Sequence, residues 1–266
     1  MSAPYGAWMG SVIEDSFWAP HDVIVEIQDF IADHEEALYS TRSFSEAAVA
    51  FSVQSAFDWA ERNGSGSKFP LWRACDGLVE QKQPFDVVML PEGVLREDVI
   101  TADNLVRYKT VVLPECSFLT APQAAAIRGY LERGGRVLAI GELGCNLDPS
   151  VLGAFDHPRF VRATELRVDD LWFGPQVRIE PSADLAINIH RLSDREAPIH
   201  LIRYDYDEER DEVPVIPRMR IELRLARPFR TPTAYSPASE VRARLTFSRE
   251  RREVHLPELE NVPCTA

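Results

Sequence analysis

The sequence predicts an α/β domain built on a parallel sheet, followed by an antiparallel β-sandwich. Three observations predict it. Between residues 45 and 157, short runs that are apolar throughout, such as FDVVML (85–90) and TVVLP (110–114), alternate with stretches of helical period. Strands without polar alternation belong to sheets covered on both faces, and such sheets are parallel with helical crossovers. From residue 158 onward the period changes to two. In MRIELRLA (219–226), Met219, Ile221, Leu223 and Leu225 face one way and Arg220, Glu222 and Arg224 the other, as in a sheet with one wet face. The length of 266 residues also suits about two domains.

The elements follow in order. Residues 1–44 form a lead segment. It opens with Tyr5, Trp8, Phe17 and Trp18 and continues as a helix that starts near Pro20 and Asp22. Val23, Ile27, Phe30, Ile31, His34 and Leu38 recur at three- and four-residue steps, which predicts one buried face. Residues 45–157 form the α/β domain. AVAFSV (48–53) is a first strand, followed by the loop NGSGSKFP. LWRACDGLVEQ (71–81) is a helix, FDVVML a second strand and TVVLP a third. APQAAAIRGYLERGG (121–135) is a helix stopped by glycines, and RVLAI (136–140) is a fourth strand that runs into a turn of Gly141, Glu142, Leu143 and Gly144. Glycine at a helix stop adopts the left-handed conformation most easily. Residues 158–266 form the sandwich, with strands at LAINIH (185–190), HLIRYDY (200–206), MRIELRLA, VRARLTF (241–247) and EVHLP (253–257). Prolines at strand ends and acidic turns separate them.

Charge and cysteine usage narrow the function classes. Lys and Arg number 29 and Asp and Glu 42, a net charge of −13. An acidic chain is a poor partner for nucleic acid or an anionic membrane, and neither is expected. No apolar run reaches the ~20 residues of a membrane helix. The first residues lack the basic and apolar regions of a signal peptide. The four cysteines, Cys75, Cys116, Cys145 and Cys264, are scattered with no CxxC pair. That predicts a reducing cytoplasm, no disulfide framework and no metal site.

Chemistry in an open parallel sheet sits beyond the carboxyl ends of its strands. Those ends deliver Gln54 and Ser55, then Glu92, then Glu115 and Cys116, then Glu142. Glu92, Glu115, Cys116 and Glu142 are therefore the candidate crevice residues, for acid–base work, a hard cation or sugar hydroxyls. The bland alternative is a set of solvated loop acids with a small apolar cysteine behind a strand. A nucleophilic Cys116 needs a base within reach. The histidines that could serve, His21 and His157 among them, lie outside the α/β region or at its end. NGSGSK lacks the Walker spacing, HEE (34–36) is not HExxH, and YDYDEERDE (204–212) has no glycine for a calcium loop. No cofactor is expected.

RYKTVVLPECSFLTAPQAAAIRGYLERGGRVLAIGELG (107–144) resembles the middle domain of family 42-type β-galactosidases and related bacterial glycoside hydrolases. The shared features are a strand ending in VVLP, a helix with YLERGG and a further buried strand. That domain is flavodoxin-like, similar to class I glutamine amidotransferases, and is termed a trimerisation domain in the β-galactosidases. DFIADHEEALYSTRSFSEAAVAFSVQS resembles the segment that joins the catalytic barrel to it. HLIRYDYDEERDEVPVIPRMRIELRLA resembles the β-sandwich that ends such enzymes.

The resemblance implies a β-galactosidase-like scaffold in carbohydrate metabolism, acting as a homo-oligomer or with a separate glycosidase barrel subunit. It carries over no catalytic residue. A barrel needs ~250 residues, and only residues 1–44 precede the first strand. In the amidotransferases the strand equivalent to RVLAI leads to a cysteine on a strained turn, and here Gly141 holds that position. Two other readings stay open: a stand-alone hydrolase using Cys116 or the acidic crevice, and a carbohydrate-binding sandwich presenting Trp172 or Tyr235.

Overall fold

The computed structural model of the chain describes residues 21–39, 42–64, 66–153, 155–171, 174–180, 184–193, 196–212, 214, 216–225, 233–236, 244–247 and 252–259. The aromatic lead residues Tyr5, Trp8, Phe17 and Trp18, and Trp172, lie outside them. Two compact units emerge. One comprises Ser45–Val177 with Leu185–Asn188, the other Met1–Phe44, Arg178–Asp184 and Ile189–Ala266.

The second of these units begins with helices α1 (His21–Asp33) and α2 (Glu35–Leu38). The expected buried face is not buried: Phe30, Ile31, His34 and Leu38 are half-covered and Ile27 is exposed. The side chain of Val23 lies outside the described residues.

The first unit is the α/β domain. Its elements run β1 (Ala47–Ser52), α3 (Val53–Asn63), α4 (Pro70–Glu80), β2 (Phe85–Leu90), α5 (Ala102–Leu105), β3 (Thr110–Cys116), α6 (Ala121–Glu132), β4 (Arg136–Leu143), α7 (Pro149–Gly153) and β5 (Phe160–Ala163). The sheet order is β2-β1-β3-β4-β5, and every pairing in it is parallel. The α/β expectation holds. The fifth strand comes from a stretch that the sequence pattern groups with the C-terminal strands.

The sheet is apolar on both faces because it is buried on both. Ala48, Ala50, Val111, Leu113, Val137 and Ala139 pack on one side with Ile127, Tyr130 and Leu131 of α6. Ala47, Val49, Val112 and Leu138 pack on the other with Leu71, Ala74 and Leu78 of α4. Each of the buried Val, Leu and Ile side chains contributes ~1.5–3 kcal/mol on burial. Helix α6 is closed at both ends. Thr120 and Gln123 form a reciprocal capping box, and Gly134, at φ +97°, takes the left-handed stop just past the helix.

Antiparallel strands follow in sequence: β6 (Val177–Glu180), β7 (Leu185–Ile189), β8 (Ile199–Arg203), β9 (Ile216–Leu223), β10 (Arg244–Phe247) and β11 (Arg252–Leu259). Four of them form a sheet ordered β10-β11-β9-β6, antiparallel at both ladders of β11. Met219, Ile221 and Leu223 are buried and Arg220 and Glu222 are not, as the period of two requires. The acidic stretch after β8 is a solvated hairpin closed by the Asp207–Glu212 bridge, with Tyr206 Oη donating to Asp211 Oδ1 at 2.6 Å.

Candidate functional site

The carboxyl ends of β1, β3 and β4 meet at one cluster of charge. Two local features build it. The first is helix α3, which the sequence pattern does not display. It starts directly where β1 ends, so Gln54 and Ser55 stand in its first turn rather than in a strand-end loop. Ser52 caps the helix by accepting from the Ser55 backbone N–H at 3.3 Å. Ser55 Oγ in turn donates to Ser52 Oγ at 2.7 Å and accepts from Phe118 N–H at 2.9 Å. Ser52 Oγ donates to the Phe118 carbonyl at 3.0 Å. Both hydroxyls are buried and satisfied, so they fasten α3 to the segment after β3.

The second feature is a bulge between β3 and β4. Pro114 pairs with Ile140 and Cys116 with Leu143. Glu115 therefore stands opposite two residues, Gly141 and Glu142. Glu115 takes φ +48° and Gly141 φ +77°. RVLAIGEL is thus one bulged strand rather than a strand ending in a sharp turn, which corrects the expected geometry. An extra residue with a glycine in the left-handed region is how a bulge re-aims a side chain.

Here the re-aimed side chain is that of Glu115. A Cβ built on Gly141 would lie 2.1 Å from Glu115 Oε2. The carboxylate fills the space that a side chain at position 141 would need, and Glu142 N–H donates to that same oxygen at 3.2 Å.

Arg62 of α3 closes the cluster. Its Nε donates to Asp58 Oδ2 at 2.8 Å. Its Nη2 lies 2.7 Å from Asp58 Oδ2, 3.1 Å from Glu142 Oε2 and 3.6 Å from Glu115 Oε1. Ser117 Oγ donates to Asp58 Oδ2 at 3.4 Å. The hydrogen bond to Asp58, and then the three carboxylate charges, hold the Arg62 guanidinium above its ordinary pKa. Three acids around one fixed cation form a tie between α3, β3 and β4. Among the described residues no group of acids, histidines or cysteines has the arrangement of a metal site.

Of the four sequence candidates, Glu115 and Glu142 come together and the other two do not join them. Glu92 turns back on its own loop, where Leu95 N–H donates to it at 2.6 Å and Arg96 N–H at 3.2 Å. Hydrogen bonds from its own amide and from these two keep it below the ordinary carboxylate range. Cys116 is fully buried. Burial, with the adjacent Glu115 charge, pushes its thiol up to about 12. Its sulfur faces the Pro114 carbonyl at 3.8 Å. A buried thiol in an apolar setting is inert.

Sequence reasoning missed Asp58 and Arg62, although their four-residue spacing signals one helix face. In the other unit, Tyr235 is exposed, with its ring 4.3 Å from that of His34. Among the described residues no helix is long and apolar enough to cross a membrane.

No family model and no curated protein matches the sequence. Solved structures of similar chain course are glycoside hydrolases. α-L-Fucosidase isoenzyme 2 from Paenibacillus thiaminolyticus is 11% identical, with 87% of this chain and 51% of that one covered and a TM-score of 0.47. The apo exo-carrageenase of glycoside hydrolase family 42 from Bacteroides ovatus is 6% identical, with 88% and 31% covered and a TM-score of 0.41. The cold-adapted β-galactosidase from Rahnella sp. R3 is 18% identical, with 44% and 16% covered and a TM-score of 0.35. The chain spans about half or less of the length of each. At such identities and TM-scores no site residue transfers, and the likeness remains one of partial chain course between this protein and several glycoside hydrolases.

Proposed function

We propose that this chain is a non-catalytic module of a bacterial glycoside hydrolase of the β-galactosidase type. It corresponds to the amidotransferase-like domain and the sandwich after it, and it promotes oligomerisation and shapes the rim of a sugar-binding cleft. One observation carries the non-catalytic part. Position 141, which the resemblance aligns with the amidotransferase nucleophile, is a glycine, and the space above it is filled by the Glu115 carboxylate. The resemblance of residues 107–144 to the middle domain of the β-galactosidases supplies the rest.

The stand-alone hydrolase finds no support in the geometry. Cys116 is sealed in the core, and Glu142 is engaged by Arg62 rather than by a base.

Two measurements on the purified 266-residue chain test the reading. Sedimentation equilibrium is expected to show self-association in the micromolar range. Incubation with chromogenic galactosides and fucosides, and with glutamine, is expected to give no turnover. A chain that stays monomeric, or one with a hydrolytic activity abolished by Glu142→Gln, overturns the proposal.

A further inference from the structure

The lead segment is held to the later strands of its own unit along a short seam. Phe44 N–H donates to the Ile189 carbonyl at 2.9 Å and Arg191 N–H to the Arg42 carbonyl at 2.6 Å, on either side of the Ser43–His190 bridge. One side chain of β8 extends the seam to α2. His200 Nε2 lies 3.2 Å from the Ala37 carbonyl. A carbonyl only accepts, so that nitrogen carries a proton in the closed seam. The His190 ring lies 5.0 Å from the His200 ring, with 36° between their planes. His190 is buried and His200 half-buried.

This setting is poor for a second proton on His200. Burial, and then the His190 charge, hold it below the ordinary histidine value, and the Ala37 carbonyl offsets them in part. The other charged or titratable groups on the packed elements are Glu35 and Glu36 of α2, Arg42 and Arg191 along the seam, and Arg203 of β8. Arg203 is paired with Asp205 at 2.5 Å. His34, just before α2, sets its ring against Phe30 and Tyr235. Among the described residues no carboxylate pairs with His200. A carboxylate there would favour the charged ring and reverse the sign of the effect.

We propose that His200, with His190 against it, is a pH-sensitive latch that fastens α2 to the strands near neutrality and loosens it on acidification. In the open seam His200 meets water and titrates near the ordinary ~6.5. In the closed seam it titrates lower. Between the two values the open form binds more protons. Closure is therefore fully favoured above about pH 6.5 and weakens as pH falls toward the closed-form value. One proton shifts the opening equilibrium by up to about tenfold per pH unit across that window. Helix α2 has four residues, none of them buried, so its release is a local opening and not unfolding of the unit.

The latch is independent of the oligomerisation reading. Hydrogen exchange of the full chain, followed by mass spectrometry at about pH 7.5 and about pH 5.5, spans the ordinary histidine value. Rates are corrected for the intrinsic pH dependence of exchange. Protection of peptides covering α2 and Phe44 is expected to fall roughly three- to tenfold at the lower pH. Strand β9 of the same unit, paired along its length with β11, is expected to keep its protection. His200→Gln can still donate to the Ala37 carbonyl but takes up no proton, and is expected to abolish the fall. His190→Gln removes the neighbouring charge and is expected to reduce it. Circular dichroism at the higher pH confirms the fold of both variants. Wild-type protection that does not change with pH overturns the latch whether or not the variants fold. So does a fall that β9 shares in equal measure, or one that persists in full in either folded variant.

Discussion

Gly141→Ala tests the central geometry of the site. Gly141 sits at φ +77°, and the new methyl would meet Glu115 Oε2 at 2.1 Å. Two costs follow. An alanine in the left-handed region costs ~1 kcal/mol relative to glycine. The carboxylate must also move. In moving it gives up the Glu142 N–H at 3.2 Å and its place 3.6 Å from Arg62. Glu115 is only 6% exposed, so a displaced carboxylate is poorly solvated, and leaving such a group unsatisfied costs ~1–3 kcal/mol. Together these give a destabilisation of about 2–4 kcal/mol.

Urea unfolding followed by tryptophan fluorescence measures it, as a lower midpoint at an unchanged slope. A cycle with Glu115→Ala isolates the clash. Removing the carboxylate relieves the methyl, so the double variant is expected to be less destabilised than the sum of the singles, by ~1 kcal/mol. Gly141→Ala within ~0.5 kcal/mol of wild type, or strict additivity in the cycle, refutes the proposed packing.

Two further outcomes follow from the same chemistry. In the folded chain, iodoacetamide at mildly alkaline pH is expected to modify the exposed Cys145 and leave Cys116 intact, because Cys116 is buried and pushed up to about 12. Peptide mass mapping reads this, and rapid labelling of Cys116 sinks the assignment. The hydrogen bonds from Arg203 hold Asp205 below the ordinary carboxylate range. A depressed folded-state pKa contributes stability that is present above the unfolded pKa and is lost as pH falls through the folded one. Asp205→Asn should therefore flatten the acid side of the stability profile in urea titrations at stepped pH, and identical acid slopes in the two proteins would contradict it.

The strands of the α/β domain were legible where the chain is apolar without interruption, as in FDVVML and TVVLP. Helix α3 was not. Ser52 is both the last residue of β1 and the helix cap, so no turn residue separates the two periods. Phe57 also faces solvent at 72% exposure, which blurs the apolar stripe. β5 was missed because FVRA is four residues long and carries a charge in the third position.

The site was half legible for a related reason. The rule that ligands gather beyond strand ends found Glu115 and Glu142. It could not tell that Cys116, one residue further on, turns into the core, because the bulge that decides this is a pairing between strands distant in sequence. Arg62 and Asp58 were hidden with their helix. Their four-residue spacing was the available signal, and it needed the helix to be recognised first.

The bulge also decides what fills the crevice. A bulge with no side chain aimed at it would leave a vacant space above Gly141. Here the space is occupied. Glu115 is held in the left-handed region, which for a residue with a side chain stores ~1–3 kcal/mol of strain, and the strain aims its carboxylate at Gly141. Gly141 in turn is the residue that leaves room for that carboxylate. Each requires the other, so a side chain placed at 141 alone would collide with the Glu115 carboxylate. Arg62 then ties Glu115 to Asp58 and Glu142 across α3, β3 and β4. An exposed ion pair alone would contribute only ~0–1 kcal/mol. Glu115 is the one partner that is buried, so the tie matters chiefly for keeping that carboxylate paired. The cluster therefore occupies the crevice that an open sheet would offer to a ligand, and this is the physical reason to read the crevice as a structural tie.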